Sequence, residues 1–148
     1  MSKECFYCEK DKRLSDLMVE ICELRTSTFY LNKDQTHVGR SIVTFKQHRK
    51  EIFELSTEEL HHFIEDVSSA AKSLQKAFNP DKINYGIYGD IVSHLHVHIV
   101  PKYKNGTDWG EAFENNPLSK KMEAPNKYES LIEQIKMYVN RGEKYEIC

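Results

Sequence analysis

Apolar and polar positions along the chain change period several times, and each change marks an element. Residues 17–31, LMVEICELRTSTFYL, are dense in β-branched, aromatic and other apolar side chains and predict two short strands with a turn near Glu23 to Thr26. The run NKDQTHVGR is a polar connection with one Gly, and RSIVTF predicts a third strand. From Ser56 the period lengthens to that of a helix. Leu60, Phe63, Ile64, Val67, Ala71, Leu74 and Phe78 recur on one face, Ser56 and Glu59 have capping-box spacing, and Asn79-Pro80 ends the run. Residues 82–89, KINYGIYG, predict a fourth strand, Gly89-Asp90 a turn or bulge, and residues 94–100 a fifth strand. Residues 104–126 are polar, with Gly, Asn and two Pro, and predict a loop. A last amphipathic helix is expected near 127–140, with Tyr128, Leu131, Ile132, Ile135 and Val139 on one face.

The links between the first three strands are too short for parallel crossovers, which need a dozen or more residues. The expected fold is therefore α+β: an antiparallel sheet of about five strands, one long helix and a C-terminal helix. The chain has 148 residues, which suits a single domain over 1–148, with residues 1–16 as an N-terminal arm and 104–148 as a loop-and-helix extension.

Composition narrows the function classes. Hydrophobic residues make up 39% and charged residues 30%, ordinary for a globular domain. A net charge of -2 argues against a protein that grips nucleic-acid backbones, which is usually strongly basic, but a nucleotide needs only a few placed donors. There is no apolar run of membrane-spanning length and no signal-peptide core in MSKECFYCEK, so a cytoplasmic location is expected, without a membrane partner. In that compartment the four cysteines, Cys5, Cys8, Cys22 and Cys148, are not expected to form a disulfide framework. Cys22 falls in an apolar run and reads as a small core residue. Cys5 and Cys8 form a C-x-x-C with no strand before it, which reads as half a zinc site rather than a thioredoxin-like redox pair.

The chain holds seven histidines, and three of them lie in SHLHVHIVPKY (93–103). Side chains alternate along a strand, so Leu95, Val97 and Ile99 share one face and His94, His96 and His98 the other, with Cα atoms on that face about 6.5 to 7 Å apart. Three imidazoles in a row can clamp a polyanion, ligate metal, or supply a nucleophile and a proton relay. His61 and His62 fall on the helix surface and His37 in the polar connection.

HLHVHIV has the H-x-H-x-H-x-x pattern, with apolar x, and with its flanks resembles the histidine triad (HIT) superfamily of nucleotide hydrolases and transferases. YLNKDQTHVGRSIVTFKQH, the helix after it, and NYGIYGDIVSHLHVHIVPKY are similar to that family in order and spacing. The resemblance implies that His96 attacks the α-phosphorus of a purine nucleotide conjugate or dinucleoside polyphosphate. The resulting nucleotidyl-histidine is hydrolysed to a nucleoside monophosphate. It implies that His98 contacts phosphate oxygens, that Asn32 meets the ribose, and that Tyr30 and Leu31 line the base pocket. From its residues alone, Asn32 reads equally well as a turn residue. A second family asparagine near phosphate matches Asn84, one residue nearer the triad than usual. The hydroxyl that family members often carry three positions before the first histidine is Ile91 here, which leaves Ser93 or Asp90 to act near the phosphate. Members with an N-terminal C-x-x-C imply a structural zinc on Cys5, Cys8, His48 and His94, and the family implies a homodimer. The rival to the zinc site is an unliganded thiol pair with His94 free for phosphate. The alternative to an enzyme is a non-catalytic nucleotide-binding or scaffold protein with a structural zinc.

Overall fold

The computed structural model describes residues 4–139. Two short helices come first, α1 (Phe6–Glu9) and α2 (Lys12–Leu17). They precede β1 (Met18–Glu23), β2 (Ser27–Asn32) and β3 (Ser41–Phe45). A 3-10 turn at Ile52–Glu54 leads into α3 (Thr57–Phe78), followed by β4 (Lys82–Ile87), β5 (His96–Lys102) and α4 (Pro125–Lys136). The five strands form one sheet in the order β1-β2-β3-β5-β4, every pair antiparallel. The expected α+β sheet is therefore present.

Helix α3 forms where its caps dictate. Ser56 accepts from the Glu59 N–H and Glu59 reaches back to the Ser56 backbone, and Asn79 closes the helix in the left-handed region at φ 48. Its apolar stripe, with Phe63, Ala70, Ala71 and Leu74, lies on the sheet face formed by Phe29, Leu31, Val43, Val97 and Ile99. α4 adds Tyr128, Leu131 and Ile135 to the same core. Ile64 is the exception to the predicted stripe, 48% exposed.

The opposite face of the sheet is the one that matters chemically. Register places His98 beside Ile42 and His96 beside Thr44, and Ile42 in turn beside Tyr30. α1 and α2 cover part of this face, where Tyr7, Leu14, Met18, Tyr30 and Ile42 make a second, smaller apolar cluster.

The structure refines the expected elements at two points. The N-terminal arm carries two helices, to which the sequence reading assigned no secondary structure; α2 forms because Asp11 caps it through the Arg13 N–H and Leu14 has the second cluster to bury itself in. β5 starts at His96, so His94 precedes the strand instead of standing in its row. Its ring is held there by a hydrogen bond from Nε2 to the Phe45 carbonyl (2.6 Å). Cys22 is buried in the core as expected. Cys148 lies outside the described residues. Among the described residues no helix is long and apolar enough to cross a membrane.

Candidate functional site

The three triad histidines are sorted by their hydrogen bonds. A carbonyl oxygen only accepts, so a ring nitrogen bonded to one must carry the proton. His96 Nδ1 donates to the His94 carbonyl, which leaves the lone pair on Nε2. His94 Nε2 donates to the Phe45 carbonyl, which leaves its lone pair on Nδ1. That Nδ1 faces Cys5 Sγ at 3.3 Å, Cys8 Sγ at 3.5 Å and His48 Nδ1 at 3.2 Å. His48 Nδ1 is also 3.3 Å from Cys8 Sγ.

These four residues form a metal-competent cluster, their ligand atoms all within 4.8 Å of one another. A tetrahedral ion with zinc's bond lengths would set N···N edges of about 3.3 Å and S···N edges of about 3.5 Å, and the one N···N and three S···N separations above, 3.2 to 3.5 Å, lie close to them. Burial and the adjacent Cys5 thiol push the Cys8 thiol up to about 11. Two thiols so close ionise together only with a cation between them.

His96 and His98 lie beyond the cluster, 7% and 8% exposed, at the wall of a cavity of about 510 Å³. Burial pulls the pKa of His96 below the ordinary histidine value, opposed by its bond to the His94 carbonyl. Burial, then His96 and Arg40, push His98 down to about 3. Both rings are therefore neutral near neutral pH, as an imidazole nucleophile must be.

The cavity floor comes from the sheet. Asn32 and Ile42 line it, with Asn32 Nδ2 turned onto the Asp34 carbonyl. Phe6, Tyr7, Leu17 and Met18 build an apolar wall from the arm. The Tyr88 to Val92 loop makes another, including Asp90 and Ile91. Asn115, Asn116, Lys120 and Met122 close the remaining side.

Several expected site residues lie elsewhere. Leu31 is fully buried in the main core under α3, because strand alternation turns it away from the face that carries Asn32. Tyr30 is on the correct face but lies beneath Tyr7, 6.3 Å between ring centroids, and does not reach the cavity. Asn84 is also on that face, opposite Val100, but two residues past the Gly86–His98 pair and outside the cavity lining. Ser93 is exposed and does not line the cavity, whereas Asp90 does. His37 is buried against Asp108 at 3.0 Å, not free in a polar loop.

The structure also brings in residues that sequence reasoning passed over. Phe6 and Tyr7 lie between the two cysteines, so whatever joins Cys5 and Cys8 to the triad carries them along; Tyr7 sits 5.1 Å from the His96 ring. Arg40 shares strand parity with Ile42 and Thr44, and alternation alone would have put it on the histidine face. Its Nη2 donates to both oxygens of Asn115, at 3.0 Å to the backbone and 2.9 Å to the side chain. Phe113, from the segment that holds Trp109, packs near His98 and under the Arg40 guanidinium. Trp109 itself is 41% exposed.

Comparison with known proteins agrees with this geometry. The chain is 28% identical over 137 residues to adenosine 5'-monophosphoramidase of Schizosaccharomyces pombe, covering 88% of this chain and 95% of that one. A histidine triad (HIT) protein from Sinorhizobium meliloti 1021 has the same fold, with a TM-score of 0.79 at 23% identity over 86% of this chain and 94% of the other. A Zn-bound histidine triad family protein from Mycobacterium smegmatis superimposes with a TM-score of 0.64 at 18% identity, over 90% and 94%. The HIT domain model matches residues 21–105. That span runs from inside β1 to just past β5 and holds the entire triad, and the chain belongs to the HIT family.

Proposed function

We propose that the protein is a nucleotide hydrolase or nucleotidyl transferase acting at the α-phosphate of an adenine or other purine nucleotide conjugate, or of a dinucleoside polyphosphate. The observation that carries this reading is the fixed tautomer of His96. Its Nδ1 proton is tied to the His94 carbonyl, and its Nε2 lone pair belongs to a ring that lines the cavity. In this reading Nε2 attacks the α-phosphorus, the P–O or P–N bond to the leaving group breaks, and that group departs with the electron pair and takes a proton from solvent. The His94 carbonyl stabilises the positive charge that develops on the imidazole. Water then attacks the nucleotidyl-His96 and gives up a proton to solvent, the P–N bond breaks, and Nε2 regains its lone pair as the nucleoside monophosphate leaves. His98, beside His96 in the row, contacts phosphate oxygens. A likeness to a monophosphoramidase over most of both chains supports the same chemistry.

Asn32 is assigned to the ribose. The base subsite falls to Phe6, Met18 and Ile42, with Tyr30 packed behind it under Tyr7. Asp90 is the polar group of the 88–93 loop available near phosphate; Ile91, 96% exposed, has no hydroxyl to offer. That missing hydroxyl favours the second reading, a nucleotide-binding protein without turnover. Zinc on Cys5, Cys8, His48 and His94 is the metal the donor set and its spacing fit best. When bound it ties the arm to the triad strand and takes no part in the phosphoryl step. Two copies are expected to join along β4, an edge strand with Tyr85 55% and Ile87 45% exposed. A cytoplasmic setting, which keeps Cys5 and Cys8 reduced, completes the reading.

The test is a product assay with a panel of adenylated substrates, following AMP, with His96→Ala as control. AMP release by the wild type and none by the variant is expected. Turnover that survives His96→Ala, or tight AMP binding with no turnover across the panel, would contradict the enzyme.

A further inference from the structure

We propose that Arg40 is the anion-binding cation of the cavity. It takes a phosphate oxygen of the bound nucleotide and holds His98 with its proton on Nε2. The proposal rests on the nucleotide reading above and adds a residue to it. Arg40 is 3% exposed and lines the cavity beside His96 and His98. A buried guanidinium is costly unless its charge is met, yet its hydrogen-bond partners among the described residues are Asn115 and His98, neither an anion. Asp34, the carboxylate it feels most, spends its hydrogen bonds on Thr36 and the Lys121 N–H. Among the described residues, Arg40 Nε is buried without a hydrogen-bond partner. The site thus has a fixed positive charge and a spare donor, and a phosphate monoanion or dianion supplies what both lack.

The placement is built by the chain. Gly39, at φ 92, makes the turn into β3, and a Cβ there would meet the Phe78 ring at 2.6 Å. The Phe113 ring lies 5.3 Å from the guanidinium carbon, and Asn115 grips Nη2. From this position Nη2 approaches His98 Nδ1 at 3.4 Å. Arginine cannot accept a hydrogen bond, so His98 Nδ1 must hold the lone pair and Nε2 the proton. His98 is then a donor toward phosphate, while His96, fixed the other way by a carbonyl, is the nucleophile. One neighbour that only donates and one that only accepts give adjacent histidines opposite tautomers.

The experiment titrates AMP and adenosine calorimetrically into the full-length wild type, Arg40→Gln and Arg40→Lys, and reads the His98 ring nitrogens of the wild type by 15N NMR. Arg40→Gln is expected to weaken AMP binding by about 10- to 100-fold, the range for one charge-assisted contact, and to leave adenosine within about twofold. Arg40→Lys should recover part of the loss. Equal loss for both ligands, or unchanged AMP affinity, overturns the clamp and leaves the nucleotide reading standing. No AMP binding by the wild type overturns both. The ring measurement needs no variant: a protonated Nε2 on His98 supports the proposal, and a protonated Nδ1 overturns it.

Discussion

His94, His96 and His98 look equivalent in the sequence and are separated by what each ring nitrogen touches. His94 is turned to the cysteines by the Phe45 carbonyl, His96 is turned to the cavity by the His94 carbonyl, and His98 is neighboured by Arg40. Replacing His96 by Ala should therefore cost at least about a thousandfold in AMP release while AMP binding persists, checked by turnover and calorimetry on the same preparation. Asn32 and Leu31 are adjacent but face opposite sides of β2, and their variants should diverge. Asn32→Ala should weaken nucleotide binding by about tenfold, the loss of one hydrogen bond, with little change in melting temperature. Leu31→Ala should cost about 2–5 kcal/mol of stability, measured by urea unfolding. The pattern that placed Leu31 at the base pocket was a resemblance in chain order; strand alternation, already legible in STFYLN, decides against it.

At the scale of elements, the sequence was most informative where a signal was local. Both ends of α3 were readable because Ser56, Glu59 and Asn79 act within one turn of themselves. α1 was not readable: four residues have no intrinsic helical stability, and it forms because Tyr7 is buried and Cys5 and Cys8 face His94. That dependence is testable. Removing metal with a chelator should raise hydrogen exchange across residues 4–17 and weaken nucleotide binding, since Phe6 and Tyr7 wall the cavity. Exchange unchanged by chelation would mean that apolar packing alone holds the arm. The C-terminal loop shows the same limit from the other side. Nothing local in residues 104–124 announces that Phe113 and Asn115 would reach across to Arg40, a contact that closes over 75 residues of separation.

For the whole molecule, three neutral imidazoles beneath a partly covered face have a consequence for stability. An unfolded histidine binds its proton near pH 6.5, whereas folded His98 does so near pH 3. Between those values the unfolded chain holds more protons, so stability is intact above pH 6.5 and falls as the pH drops below it. This one group contributes on the order of 1.4 kcal/mol per pH unit; denaturant midpoints from pH 7 to 4.5 should show the decline. The antiparallel sheet was legible because the short links between the first three strands rule out parallel crossovers; the order in which β5 and β4 join it was not. The cavity was not, because its walls come from the arm, the 88–93 loop and the C-terminal loop, which only the closed fold assembles. His96 as the nucleophile is tested by intact-protein mass spectrometry after rapid, acid-free quenching with an adenylated substrate. One covalent AMP per chain is expected, mapped to His96 and absent from His96→Ala. Substrate turned over with no adduct at any time, or an adduct that persists in His96→Ala, would contradict it.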